Sequence, residues 1–192
     1  MGGAKLVYVI VFTLILLLSI IVMQSRLSLN SRDNLIAVFS FIPLFIVSAF
    51  RGNSVGTDTS NYIKGFRIIA DKEISAALSE IRWEDGYVYL NKLVSLFTKN
   101  GQGIIIVTSF ITLFGLFYVI KKYSKNVLFS IYLFIFFYYY FITFNLVRQY
   151  LAIGVLMFAY DQMIKRNFIK YVLLVLAAAS FHQLAILLLP LY

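Results

Sequence analysis

The chain has 192 residues, is 61% hydrophobic with a mean hydropathy of +0.89, and carries a formal net charge of +9. That composition excludes an ordinary soluble domain and fits a single membrane domain over residues 1–192, with several spans. Cys is absent and His182 is the lone histidine, which excludes disulfides and thiolate metal sites and argues against a histidine-built one.

Leu6–Met23 reads as the first span. It is longer than a signal-peptide core, and no small-x-small cleavage pattern follows it. Gln24–Asn34 is a short loop carrying Arg26 and Arg32. Leu35–Phe50 is a second span with Pro43 inside it, where the missing N–H favours a kink.

The chain then turns abruptly polar at Arg51-Gly52-Asn53-Ser54-Val55-Gly56-Thr57-Asp58. Gly52 and Gly56 allow a tight turn or a close approach to a ligand. Arg51 offers a planar fork of donors suited to phosphate or carboxylate. Two readings stand: this loop grips an anionic group at the mouth of a span, or Arg51 snorkels to headgroups while Asp58 or Thr59 caps the next helix.

Residues 51–102 form one outer segment. Tyr62, Phe66 and Ile69 follow helical spacing, as do Ile74, Leu78 and Ile81, and then Tyr87, Leu90, Val94 and Phe97. The spacing predicts two or three amphipathic helices, interrupted at Glu84-Asp85-Gly86. They either roof a cavity between the spans or rest in the headgroups. Trp83 suits both, since tryptophan favours the interface.

Gly103–Ile120 is a third span, followed by the basic turn Lys121-Lys122-Tyr123-Ser124-Lys125. Val127–Phe144 is a fourth, dense in Phe and Tyr. Its Tyr138-Tyr139-Tyr140 run fits an interfacial aromatic belt, with a groove for sugar rings or an isoprenoid tail as the other reading. Leu146–Tyr160 is a fifth, preceded by Asn145 and containing Arg148 and Gln149. A sixth starts near Phe168 and ends at Ser180. Leu184–Tyr192 begins a further apolar run shorter than the about 20 residues a span needs. The expected fold is therefore all-α: a polytopic transmembrane bundle of about six spans plus an incomplete seventh, read as the N-terminal part of a longer protein.

The positive charge forms no basic run of the kind nucleic acid requires; it clusters in the short loops. Arg26 and Arg32, then Lys121, Lys122 and Lys125, then Lys165, Arg166 and Lys170 mark three loops as cytoplasmic. The N-terminus, with Lys5, then lies outside. So do the outer segment, the turn at Asn145 and the break at His182. Arg51, Asp58, Arg148 and His182 thus share the outer face, although they are far apart in sequence.

Helical spacing puts Asn145, Arg148, Gln149 and Ala152 on one face. An arginine at bilayer depth costs about 2.5–3.5 kcal/mol on insertion scales and usually faces protein or water. A helix N-terminus also favours anions. His182 can exchange a proton near neutral pH, or it can be a structural histidine at a helix end.

Taken together, Arg51 with Val55-Gly56-Thr57-Asp58 and Tyr62, Glu84-x-Gly86-Tyr87, Asn145-x-x-Arg148-Gln149-x-x-Ala152, and Phe181-His182 resemble the EpsG family. The four motifs run in order over most of the chain. The resemblance implies a Wzy-like polymerase of exopolysaccharide, capsule or O-antigen in the bacterial plasma membrane, a glycosyltransferase. Its substrate would be an undecaprenyl-pyrophosphate-linked oligosaccharide used on the outer face. The partners would be the lipid bilayer and other polysaccharide assembly proteins, with no nucleic acid and no metal or other cofactor. Arg51 and Arg148 would hold the pyrophosphate, Asp58 or His182 would take the proton, and Asn145, Gln149 and Glu84 would support them. The alternatives are a lipid-linked oligosaccharide flippase, a membrane O-acyltransferase using His182, and a non-catalytic assembly partner.

Overall fold

The computed structural model describes residues 2–192, with residues 2–5 as backbone only, so the side chain of Lys5 lies outside the described residues. Every regular element among the described residues is helical: α1 (Gly2–Gln24), α2 (Leu29–Ala49), α3 (Thr59–Asp71), α4 (Ile74–Glu80), α5 (Asp85–Ser95), α6 (Gln102–Tyr123), α7 (Val127–Phe136), α8 (Tyr139–Ile142), α9 (Val147–Ile164), α10 (Phe168–Phe181) and a 3-10 segment, Gln183–Leu191. Of these, α1, α2 and α6 are long and apolar enough to cross a membrane, while α7 and α10 are shorter apolar helices.

The bundle is built outward from α6. Near its N-terminal half, Ser48 of α2 donates to Ser109 at 2.8 Å. On its other side α6 meets α9 through small residues. A Cβ on Gly115 would fall 2.0 Å from the Gly154 carbonyl oxygen, so the two backbones touch. At their C-terminal ends the buried Asp161 of α9 pairs with Lys122 of α6 and, at 2.7 Å, with Lys165. Tyr123 donates to the same carboxylate at 2.5 Å. These contacts fix α6 and α9 as parallel, and α10 packs along α9 with its end directed the opposite way. The bundle therefore has two chemically distinct ends. One gathers Arg51, Glu84, Arg148 and His182; the other gathers Lys122, Asp161 and Lys165.

The fourth apolar stretch is not one helix, as the sequence reading had it. It breaks after Phe136, and Tyr138 adopts a left-handed backbone (φ 69°) before the single turn of α8. The break serves packing. It turns Tyr140 inward, where the ring is fully buried and its hydroxyl donates to the Leu44 carbonyl at 2.8 Å. Phe134 and Phe144 pack their edges against that ring. Tyr138 and Tyr139 stay exposed.

The last apolar run also departs from the expected start of a span. It forms the 3-10 segment, which lies back against α10, with Tyr171 donating to the Leu188 carbonyl.

The outer segment folds as α3, α4 and α5, and it docks on protein. Tyr62, Ile63 and Phe66 of α3 and Tyr87 of α5 pack against Ile104 of α6 and Leu151 of α9 in one buried cluster. Burying each such side chain contributes about 1.5–3 kcal/mol. Lys92 and Lys99 reach the C-terminal carbonyls of α3, Lys99 at 3.0 Å from Ala70 O. Cations there complement the helix dipole. The segment is a roof over one end of the bundle. The far side of α5 still exposes Tyr89, Leu93, Leu96 and Phe97.

Candidate functional site

Glu84 is the hub of the first cluster. It stands immediately before α5, and the chain places it there by a close contact. A Cβ on Gly86 would lie 2.2 Å from Ser180 Oγ and 2.7 Å from the Ser180 carbonyl oxygen, so only glycine lets the start of α5 abut the end of α10. One oxygen of Glu84 accepts from Arg148 Nη1 at the start of α9. The other is 3.2 Å from His182 Nδ1, off the line of a formed hydrogen bond, and 3.4 Å from the Gln183 amide. Burial pushes the Glu84 carboxyl up. Its own backbone amide, Arg148, the Gln183 amide and His182 outweigh that, and the net pKa is lowered. Glu84 is thus an ionised acceptor serving two elements.

Arg148 also lies over the Trp83 ring, with its guanidinium carbon 5.9 Å from the centroid. Trp83 is fixed by Tyr62 and Tyr87, whose rings are 5.5 and 5.3 Å away, and by Gly65 beneath it. Arg148 Nε is buried and unpartnered within the described residues, so one donor of the fork is unspent.

Arg51 forms the second cluster. It is 5% exposed. Nε donates to Thr59 Oγ1 at 3.1 Å; Nη1 donates to the Ser48 carbonyl at 2.8 Å and to Ser109 Oγ at 3.3 Å. Its guanidinium carbon is 4.9 Å from the centre of the Phe144 ring. Burial pulls its pKa down to about 10, which leaves it charged at neutral pH. Among the described residues its partners are hydroxyls, a carbonyl and a ring, with no carboxylate among them. A cavity with room for about one water lies beside it, walled by Thr108, Thr112 and Thr143 as well as Ser48 and Ser109.

The loop between α2 and α3 links the clusters. Gly56 has φ +86°, and a Cβ there would fall 2.8 Å from the Phe144 carbonyl oxygen. That approach lets Asn145 Oδ1 accept from the Thr57 amide at 2.8 Å. Asn145 is therefore a clamp on the loop. Asp58 occupies the N-cap position of α3 without a side-chain capping bond, and it is half-buried. Gln149 is half-buried one residue beyond Arg148. The fully buried Tyr87 has its hydroxyl unpartnered within the described residues. Burial first, and then Tyr62, raise its pKa, with Asn91, Arg148 and Arg51 acting against them.

The structure thus joins Glu84, Arg148 and His182 directly, and joins Arg51 to Thr59 and the loop that Asn145 holds. Arg51 and Arg148 do not touch. Ser48 and Ser109, which hold Arg51 together with Thr59, have no signal in the sequence, since hydroxyls inside apolar runs are common, and Thr59 reads there only as a candidate cap. Trp83 was legible only as an interfacial residue. Among the described residues no group of three or more His, Asp or Glu side chains is gathered to hold a metal ion.

No curated protein and no solved structure matches the chain significantly. The sequence profile of the EpsG family matches residues 34–192, a stretch that starts within α2 and includes both clusters and the loop that Asn145 clamps. An all-helical membrane fold with that match over most of its length belongs to the EpsG family, whose setting is polysaccharide biosynthesis at a membrane.

Proposed function

We propose that the chain is a glycosyltransferase that polymerises oligosaccharide repeat units carried on a polyprenyl pyrophosphate at the outer face of the plasma membrane. The observation that carries this reading is Glu84 standing between Arg148 and His182 at the end of the bundle that also bears Arg51. A hydroxyl of one lipid-linked unit attacks the anomeric carbon of the growing chain. A carbon–oxygen bond forms there, and the bond from that carbon to the pyrophosphate breaks with its electron pair going to the phosphate oxygen. The hydroxyl proton passes to a base. His182 suits the task, because its Nδ1 lies 3.2 Å from the Glu84 carboxylate and its Nε2 is left for the substrate. Asp58 is the other candidate.

Arg148, at the same end of the bundle, and Arg51, with no acidic partner among the described residues, would supply positive charge to the leaving pyrophosphate.

The test is polymer assembly in cells lacking their own polymerase. His182→Ala and His182→Gln should leave lipid-linked single units and no long chains, at matched protein levels. Full-length polymer from both would remove His182 as the base. Loss from Asp58→Asn alone would move the role to Asp58.

A further inference from the structure

Two open hollows flank Arg51, and the chemistry above does not use them. One, about 320 Å³, lies between α1 and the end of α2 and is lined by Tyr8, Ile46, Val47, Arg51 and Val55. The second, about 350 Å³, lies between α1, the Gly56 loop and the α7–α8 break, and is lined by Tyr8, Val55, Tyr138 and Phe144. They share Tyr8 and Val55, so the two hollows adjoin along one grooved face. Arg51 borders the first part. Phe144, which carries the Arg51 guanidinium on its face, borders the second. Tyr138 is held at φ 69°, a conformation costly for a bulky side chain, and it too borders the groove.

We infer that this groove receives the prenyl chain of a polyprenyl diphosphate whose phosphate meets Arg51, so that the substrate arrives sideways from the bilayer. Three observations favour a lipid over a free anion. In the first hollow the single cation, Arg51, is walled by Val7, Ile46, Val47, Phe50 and Val55. Ile46, Phe50 and Tyr138, along and beside the rim, are exposed on the bundle's flank, where hydrocarbon would surround them. The buried guanidinium lacks a carboxylate within the described residues, and a buried charge is costly until it is paired. The identity of that lipid as the polyprenyl carrier rests on the polymerase reading.

The test uses the purified chain in nanodiscs and measures binding of inorganic pyrophosphate and of farnesyl diphosphate. Farnesyl diphosphate should bind at least about tenfold more tightly, as burial of a prenyl chain requires. Ile46→Trp, which fills the groove from a half-exposed position, should remove that gain and leave inorganic pyrophosphate binding unchanged. Val7→Trp, from the facing helix, should do the same if Ile46→Trp lowers the yield of folded protein. A chain-length gain that survives both variants overturns the groove and leaves the pyrophosphate reading standing. Displacement of farnesyl diphosphate by phosphatidylglycerol at equal concentration overturns it too, since the groove would then hold any anionic lipid. Absence of binding by both diphosphates sinks the carrier reading and the groove together.

Discussion

Arg148 and Glu84 are paired across 64 residues of sequence, and the pairing joins the start of α9 to the start of α5. The same carboxylate faces His182 at the end of α10. Three helices are thus tied at one end of the bundle by a single acid. Removing any member alters the charge balance of the other two.

Arg148→Lys keeps the charge and the pairing with Glu84 but loses the fork. If the fork holds developing charge on pyrophosphate, the variant should insert normally and polymerise about a hundred- to a thousandfold more slowly, as removal of such a donor costs about 2.7–4 kcal/mol. The measurement is polymer length in polymerase-deleted cells, with protein levels matched by blot. Full-length polymer would count against the fork; loss of protein from the membrane would mark a structural arginine.

Glu84→Gln should destabilise the fold by more than the about 1 kcal/mol of an exposed pair and less than the about 3 kcal/mol of a fully buried one. The pH dependence follows from the sign of its shift. The folded pKa lies below the ordinary 4.5, so the carboxylate's contribution is complete above that value and fades as pH falls through the lower folded value. The difference in thermal unfolding between the wild type and Glu84→Gln should therefore narrow as pH falls from about 7 to about 3. A constant difference across that range would show that the carboxylate's charge is not what stabilises.

Gly56→Ala should dislodge the loop that joins the two clusters, because its backbone is left-handed and the added carbon meets the Phe144 carbonyl. The cost expected is about 1–3 kcal/mol. Asn145→Ala removes only the acceptor for the Thr57 amide, and about 1 kcal/mol is expected. Limited proteolysis within residues 51–58 reports both. Equal resistance of Gly56→Ala and the wild type would refute the clamp.

Topology is tested by cysteine labelling, which is clean because the chain has no native cysteine. Asn53→Cys should react with an impermeant reagent in intact cells. Ser124→Cys should react only after permeabilisation. The reverse pattern would place Arg51, Glu84, Arg148 and His182 on the cytoplasmic side.

The sequence alone determined the all-α membrane class and the helical outer segment. Both depend on local periodicity and on apolar length, which any window of residues displays. It also determined the family, because short motifs such as Arg51 with Gly56-Thr57-Asp58 and Asn145-x-x-Arg148 recur in order. Only the tertiary structure decided that Glu84 accepts from Arg148 and stands beside His182. That role depends on α5 abutting α10 at Gly86 and Ser180, a contact between positions far apart in the chain. The break at Tyr138 was hidden for the same reason: its apolar run reads as a continuous helix until the buried Tyr140 hydroxyl has to find the Leu44 carbonyl. Arg51 was legible as a cation at a span's end, but its burial among Ser48, Thr59 and Ser109 was not, since hydroxyls announce a site only once packing points them at one charge.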